Sequence, residues 1–511
     1  MPPGRVYRVA SAALPATFPF QGSSARRRYR VRIMIEARNF VDGRWTVAAS
    51  GRTIAVTNPA TDETLADVPD AGRDETRHAV EAAARALPAW RDRPAAERGA
   101  VLRRWAGLMV RDCERLARLM TLEQGKPIAE SRVEIHYAAS FLEWFGEEAR
   151  RIGGKTIPAS TADKRLFVLP RPVGVCAAIT PWNFPAAMIT RKTGAALAAG
   201  CTQIVKPAEH TPLSAIALAE LSIEAGVPPG VFNLVTGKPE PIAEEFFANP
   251  LVRKVSFTGS TEVGRVLMKN AATNVTRLSL ELGGHAPFIV FADADLDRAV
   301  EGAIASKFRN AGQTCVCANR ILVEESIREA FAAKLTAAAS KLVVGDGLVD
   351  GTQIGPLIED SVVDKALAHI DDAKARGAKV LCGGGRATVK DRSNRFVQPT
   401  VIDRASREML CFNEETFGPV APIIGFSSEA EAVEIANDTP FGLAAYFYTR
   451  DASRLMRMCE ALEYGIVGAN DALPSVAQAP FGGVKHSGFG KEGGRAGIDE
   501  YLVYRYVSWR L

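Results

Sequence analysis

The sequence predicts an α/β protein with a doubly wound parallel-sheet domain, a second α/β domain, and small β segments standing apart from both. Three observations point there. From Val173 onward, short runs that are apolar on both faces alternate with helical stretches, the pattern of a parallel sheet covered by helices on both sides. Apolar residues make up 47% of the 511, enough to fill the two or more cores a chain of this length organises. No uninterrupted apolar run approaches the ~18 residues of a membrane helix, so no span is expected.

The elements follow in order. Residues 1–35 hold seven arginines, no lysine and no acid. That is the composition of a mitochondrial transit segment, and equally of translated upstream sequence with Met34 as the start; either way residues 1–33 are set aside from the fold. The remainder has 56 basic against 58 acidic residues, so the formal charge of +5 does not mark a nucleic-acid binder. Asn39-Phe40-Val41-Asp42-Gly43-Arg44-Trp45 reads as a hairpin about an Asp-Gly turn. Ala79, Ala82, Ala83, Ala86, Leu87 and Trp90 form one face of a helix, and a single helix is expected over residues 97–123 until Gly125 and Pro127 stop it. Another covers residues 128–148.

The alternating region then gives strands at residues 175–179, 203–205, 231–235, 254–257 and 277–280, with helices between. Sheets of this kind bind nucleotides at the carboxyl ends of their strands. A second α/β series starts near Pro287, with helices over residues 296–309, 327–342, 362–376 and 429–437. Residues 165–173 and 501–511 are strand-like without a partner in either sheet; pairing with another subunit, and so a homo-oligomer, is expected. The eight cysteines lack the paired spacing of a disulfide framework or zinc ribbon. A reducing compartment without a structural metal follows: the cytoplasm, or the mitochondrial matrix if the head is a transit segment.

Three segments carry chemistry. Cys315 follows a Gly-Gln-Thr turn, Glu281 opens Glu-Leu-Gly-Gly, and Asn183 lies in Pro-Trp-Asn-Phe-Pro. A thiol and a carboxylate brought together are the minimum for covalent chemistry on a carbonyl, and an amide held rigid between prolines can donate to a developing oxyanion. Taken singly, the cysteine reads as a small buried hydrophobe and the glutamate as a strand-end acid.

With Phe257-Thr258-Gly259-Ser260 between them, these segments resemble the aldehyde dehydrogenase superfamily over residues 35–511. The resemblance implies a cofactor domain of residues 34–149 and 173–285, a catalytic domain of 286–495, and oligomerisation segments at 150–172 and 496–511, assembling as a homodimer or homotetramer. It assigns Cys315 to attack on the aldehyde carbon. Asn183 and the Cys315 amide hold the oxyanion, Lys192 supports that network, and Glu281 activates the hydrolytic water. The presence of Glu281 favours a free carboxylate over transfer to coenzyme A.

Cofactor contacts carried over are Thr180, Pro181, Trp182, Lys206, Glu209, Gly259, Ser260, Gly264, Glu415 and Phe417. A carboxylate at Glu209 accepts from a ribose 2′-hydroxyl and repels a 2′-phosphate, so NAD is expected over NADP.

Residues 185–192, 306–310 and 444–447 are similar to the members that act on succinate semialdehyde. There Arg191 and Arg309 would grip a carboxylate through charge-assisted bonds, with Ser475 as a third contact. Without the family, each arginine reads as a surface ion pair. His285 and Pro474 depart from the family pattern, and the choice between succinate and glutarate semialdehyde stays open. Cys317, two residues from Cys315, suggests a strained disulfide as a redox switch, with simple packing as the other reading.

Overall fold

The computed structural model describes residues 37–511; the arginine-rich head and Met34 lie outside the described residues. The expected hairpin forms. Asn39–Val41 pairs antiparallel with Arg44–Thr46 around Asp42 and Gly43, both at positive φ, as a tight two-residue turn between right-twisted strands requires. Phe40 opposite Leu234 joins the hairpin to the edge of an eight-stranded sheet.

The interior of that sheet is parallel, in the spatial order Phe232–Leu234, Thr202–Lys206, Val175–Ile179, Val252–Thr258, Arg277–Glu281. Val175–Ile179 comes first in the chain and sits in the middle. Two strands are added on one side, then two on the other. That reversal opens a crevice outside the carboxyl ends of Val175–Ile179 and Val252–Thr258, where ligands bind in doubly wound sheets.

Only Leu282-Gly283-Gly284-His285 separates the end of this sheet from Ala286–Val290, which lies inside a second, seven-stranded sheet. It pairs parallel with Ala318–Glu324 on one side and Ala444–Tyr448 on the other. Each sheet has its own apolar core, one around Ile204, Val255, Phe246 and Leu280, the other around Phe288, Ile321, Leu322 and Ile423. Burial on both faces of the central strands explains why they read as continuous apolar runs.

Two expectations are corrected. The helix expected over residues 97–123 is two, Ala95–Arg111 and Cys113–Gln124, broken at Asp112 with φ −97° and ψ 17°. Aspartate is a poor interior helix residue, and here its carboxylate is engaged by Arg111 and Arg115. Both helices bury an apolar face, so the periodicity runs on across the break.

Residues 165–173 and 501–511 stand outside both sheets as expected, but they find their partners within the chain rather than only in another subunit. Lys164–Pro172 and Leu502–Arg510 pair with each other, antiparallel along their whole length, and Lys155–Ile157 adds a third strand. Their separation along the chain concealed the pairing. Tyr504, Tyr506 and Trp509 on this sheet are exposed. A hairpin of Thr53–Thr57 with Thr64–Pro69, too polar to stand out in the sequence, is also present. Among the described residues no helix is long and apolar enough to cross a membrane.

Candidate active site

The nucleophile candidate stands on a strained turn. The helix Leu296–Phe308 ends into Arg309–Gly312, where Asn310 (φ 50°, ψ 36°) and Ala311 (φ 54°, ψ 31°) are left-handed and Gly312 follows at φ 79°. Such a conformation costs roughly 1–2 kcal/mol at each residue that carries a Cβ. Hydrogen bonds hold it: the Gln313 backbone N–H and Nε2 both donate to Asn310 O at 3.0 Å, and Gln313 Oε1 accepts from Ile358 N at 3.0 Å. A Cβ on Gly312 would lie 2.2 Å from Gly418 O, so glycine is required there on two counts.

The crossing between the two sheets passes close to this turn. Glu281 is the last residue of its strand, and a Cβ on Gly284 would stand 2.2 Å from Cys315 O. Thus the Gly-Gly pair lets the carboxylate strand and the thiol loop meet. Asn183 arrives from the other direction, four residues beyond Val175–Ile179, and its Nδ2 donates to Gln313 O at 3.0 Å. A side-chain amide has two N–H groups, which leaves one to serve an oxyanion. Lys192, on the helix Ala187–Ala199, donates to Thr258 Oγ1 at 2.7 Å and pairs with Glu492.

Cys315 opens onto a cavity of about 440 Å³ that Arg191, Arg309 and Ser475 also line. Arg191 is buried, its Nη2 donating to Tyr137 Oη at 2.7 Å and its Nη1 3.4 Å from Glu492, with the guanidinium over the rings of Phe481 and Phe141. Tyr137 in turn shares a hydrogen bond with Ser475. Arg309 lies over the ring of Phe184, and its Nε is buried without a partner.

Sequence reasoning missed Tyr137 and Glu492. Neither stands in a motif the sequence singles out, and only the fold brings Tyr137 to the cavity wall and Glu492 to Arg191 and Lys192.

Electrostatics divide the groups. Burial pushes the Cys315 thiol up to about 12, with the Glu415 charge adding and Arg191 and Arg309 opposing. Glu281 is buried with neither carboxylate oxygen hydrogen-bonded. Burial, and then Glu492, hold it well above the usual carboxylate range, against Lys192 and Arg191. His285 is held well below its ordinary value by burial and Arg320. It is therefore neutral, and because a carbonyl only accepts, its Nε2 carries the hydrogen toward Phe412 O.

The dinucleotide candidates gather along the crevice. Thr180 and Pro181 follow the central strand, and Trp182 meets Phe417 edge to face at 5.6 Å. Glu415 Oε1 accepts from Gly284 N at 3.1 Å, and burial raises its carboxyl to about 7. Lys206 and Glu209 form an ion pair at 2.8 Å, so the Glu209 carboxylate is already engaged. Gly259 leaves its Cβ space to the Phe257 ring, and Ser260 caps the helix Thr261–Ala271 by accepting from Val263 N. The free N-terminal amides of such a helix suit a pyrophosphate. Gly264 lies one turn further in with its missing Cβ against Leu282, where it serves helix packing rather than the turn. Cys317 is buried, its thiol donating to Lys307 O at 3.4 Å, while Cys315 faces the cavity; both are free thiols.

Known proteins resemble this chain throughout. The model of the aldehyde dehydrogenase family matches residues 45–507. The chain is 58% identical over 467 residues to the succinate-semialdehyde dehydrogenase [NADP(+)] of Escherichia coli (strain K12), covering 91% of this chain and 96% of that protein. It is 57% identical over 468 residues to the glutarate-semialdehyde dehydrogenase of Pseudomonas putida, covering 92% and 96%. A crystal structure of an NADP-dependent enzyme from E. coli superposes with a TM-score of 0.92 at 57% identity, covering 93% of this chain and 98% of the other.

Proposed function

Because the chain belongs to the aldehyde dehydrogenase family, we propose that it oxidises succinate semialdehyde to succinate through a thioester on Cys315. The enzyme is an NAD(P)-dependent oxidoreductase; when bound, the dinucleotide supplies the hydride acceptor. The remaining chemistry belongs to the chain's own residues. Cys315 gives up its thiol proton, with ionised Glu281 as the proposed base, and adds as thiolate to the aldehyde carbon, and the oxyanion so formed accepts from Asn183 Nδ2 and the Cys315 amide. Departure of hydride leaves the thioester. Glu281, once its own proton has passed to solvent, takes a proton from water as the water attacks, and the thiolate leaves with the carboxylic acid released.

One observation carries the substrate: Arg191, Arg309 and Ser475 line the same cavity as Cys315. Two guanidinium groups beside a thiol suit an aldehyde with a carboxylate at its far end. The glutarate-semialdehyde relative makes the five-carbon acid the alternative. NAD is proposed as the preferred dinucleotide on the ground of Glu209, whose carboxylate a 2′-phosphate would have to approach; the NADP-named relative marks the opposite possibility. The Leu502–Arg510 strand, with Tyr504 and Tyr506 exposed on one face and Trp509 on the other, is read as the seat of a second copy.

The test is reduced-dinucleotide formation with succinate semialdehyde, glutarate semialdehyde and butanal, each with NAD and with NADP. A kcat/KM at least about 100-fold higher for succinate semialdehyde than for butanal is expected, from roughly 3 kcal/mol of charge-assisted binding. Equal rates on butanal would discard the carboxylate site while keeping the chemistry. A higher rate on the five-carbon acid would move the assignment one methylene, and NADP preference would discard the role given to Glu209.

A further inference from the structure

We infer that Glu130 is a positioning residue for the nucleophile turn, holding the left-handed Asn310-Ala311-Gly312 segment in place from the opposite wall of the cavity. The inference rests on the reading of Cys315 as nucleophile. Glu130 lies in the first turn of the helix Ile128–Glu148, which forms one side of the cavity. Its Oε2 accepts from the backbone N–H of Asn310 at 2.7 Å, a contact 180 residues long in sequence.

Asn310 is the first left-handed residue of the turn, so this is the amide whose orientation decides whether the strained segment holds. Asn310 Nδ2 donates to Asn183 O at 3.1 Å and to Gln313 O at 3.3 Å, and Asn183 Nδ2 donates to Gln313 O at 3.0 Å. The turn and Asn183 are therefore one hydrogen-bonded unit.

That unit is gripped from the same segment by opposite charges. Lys126 Nζ donates to Asn183 O at 2.7 Å, while Glu130 accepts from Asn310 N. Lys126 is itself paired with Glu134, whose Oε1 accepts from Ala186 N at 3.0 Å and Ala187 N at 3.3 Å. The two donors proposed for the oxyanion, Asn183 Nδ2 and the Cys315 amide, thus hang from a single helix start. Removing the Glu130 acceptor frees the amide that faces it and lets the turn relax toward ordinary backbone angles, which moves the thiol relative to Asn183. Displacement of about 1 Å at a reacting group costs on the order of 100-fold in rate.

The experiment compares Glu130→Ala and Glu130→Gln in the full-length protein. It measures kcat and KM on succinate semialdehyde and on butanal, the alkylation rate of Cys315 by iodoacetamide without dinucleotide, and the melting temperature. Expected for Glu130→Ala is a kcat lower by roughly 10–100-fold on both aldehydes, with a changed alkylation rate and each KM within about threefold of the parent. The amide oxygen of Glu130→Gln still accepts from Asn310 N, so kcat recovers to within about threefold of the parent.

An unchanged kcat in Glu130→Ala overturns the inference. So does a loss confined to the KM of the acidic aldehyde, which would assign Glu130 to the setting of Arg309. A folded Glu130→Gln as slow as Glu130→Ala overturns it too. If Glu130→Ala does not fold, the kcat of Glu130→Gln decides alone. Cys315→Ser fails separately: turnover in that variant sinks the nucleophile reading, whereas a silent Cys315→Ser beside a fully active Glu130→Ala sinks only this one.

Discussion

A carboxylic acid kept away from water without a hydrogen-bond partner is poised rather than resting. Glu281 has both oxygens unpartnered and its ionisation held well above the usual range by burial and Glu492. A carboxyl whose value is raised in the fold favours its protonated form there. Above the ordinary glutamate value the unfolded chain loses that proton first, so Glu281 destabilises the fold progressively as pH rises toward its own value. Glu281→Gln is therefore expected to melt at or above the parent temperature near pH 7, with the gap widening as pH rises above the ordinary glutamate value, while steady-state turnover falls by at least about 100-fold. Differential scanning calorimetry across pH, alongside mass spectrometry for acylated Cys315, measures both. A lower melting temperature at every pH would contradict the assignment. At this scale much was legible. The thiol, the amide and the carboxylate each sit in a short segment whose neighbours declare it, and all three segments meet in space. Tyr137 and Glu492 have no such context; a tyrosine within a helix and a glutamate before two glycines say nothing until Arg191 is seen between them.

Local backbone rules governed what could be read of the elements. Strands buried on both faces and helices between them follow from runs and periods, and these formed close to where they were expected. The break at Asp112 did not announce itself, because the apolar faces of Ala95–Arg111 and Cys113–Gln124 continue across it. The left-handed turn before Cys315 was equally silent, since asparagine and alanine carry no signal for positive φ as strong as glycine does; Gly312 alone hinted at it. That glycine supplies a prediction. Gly312→Ala places a Cβ at φ 79° and 2.2 Å from Gly418 O, where neither neighbour is a flexible side-chain end. A destabilisation of about 3 kcal/mol is expected, together with loss of most activity. Chemical denaturation of the variant is the check; a midpoint unchanged from the parent would mean the turn has another conformation of similar energy.

Pairings between distant parts of the chain were the least legible feature of the whole molecule. Nothing in residues 164–172 names residues 502–510 as their partner, because β pairing leaves only alternation in each strand and no mark of which strand lies opposite. The resulting sheet leaves Tyr504, Tyr506 and Trp509 in water. Replacing Tyr504 and Tyr506, which share one face of the strand, by glutamate is expected to lower the assembly state seen by analytical ultracentrifugation while leaving the melting of the isolated subunit within a few degrees of the parent. An unchanged sedimentation coefficient would remove this face from the interface. The same pairing sets a timetable. Asp163 and Arg510, joined by an ion pair at the end of that sheet, are 347 residues apart. At ribosomal rates of about 5–20 residues per second, the earlier strand waits roughly 17–70 s for the later one. Throughout that wait its edge stands open to any other extended chain. During synthesis, then, the hazard to this protein lies less in its two larger sheets, whose most distant paired strands, Leu280 with Phe489, stand 209 residues apart, than in one early strand kept waiting longer still. Slowing translation between the two should raise the insoluble fraction more than slowing it anywhere before residue 164.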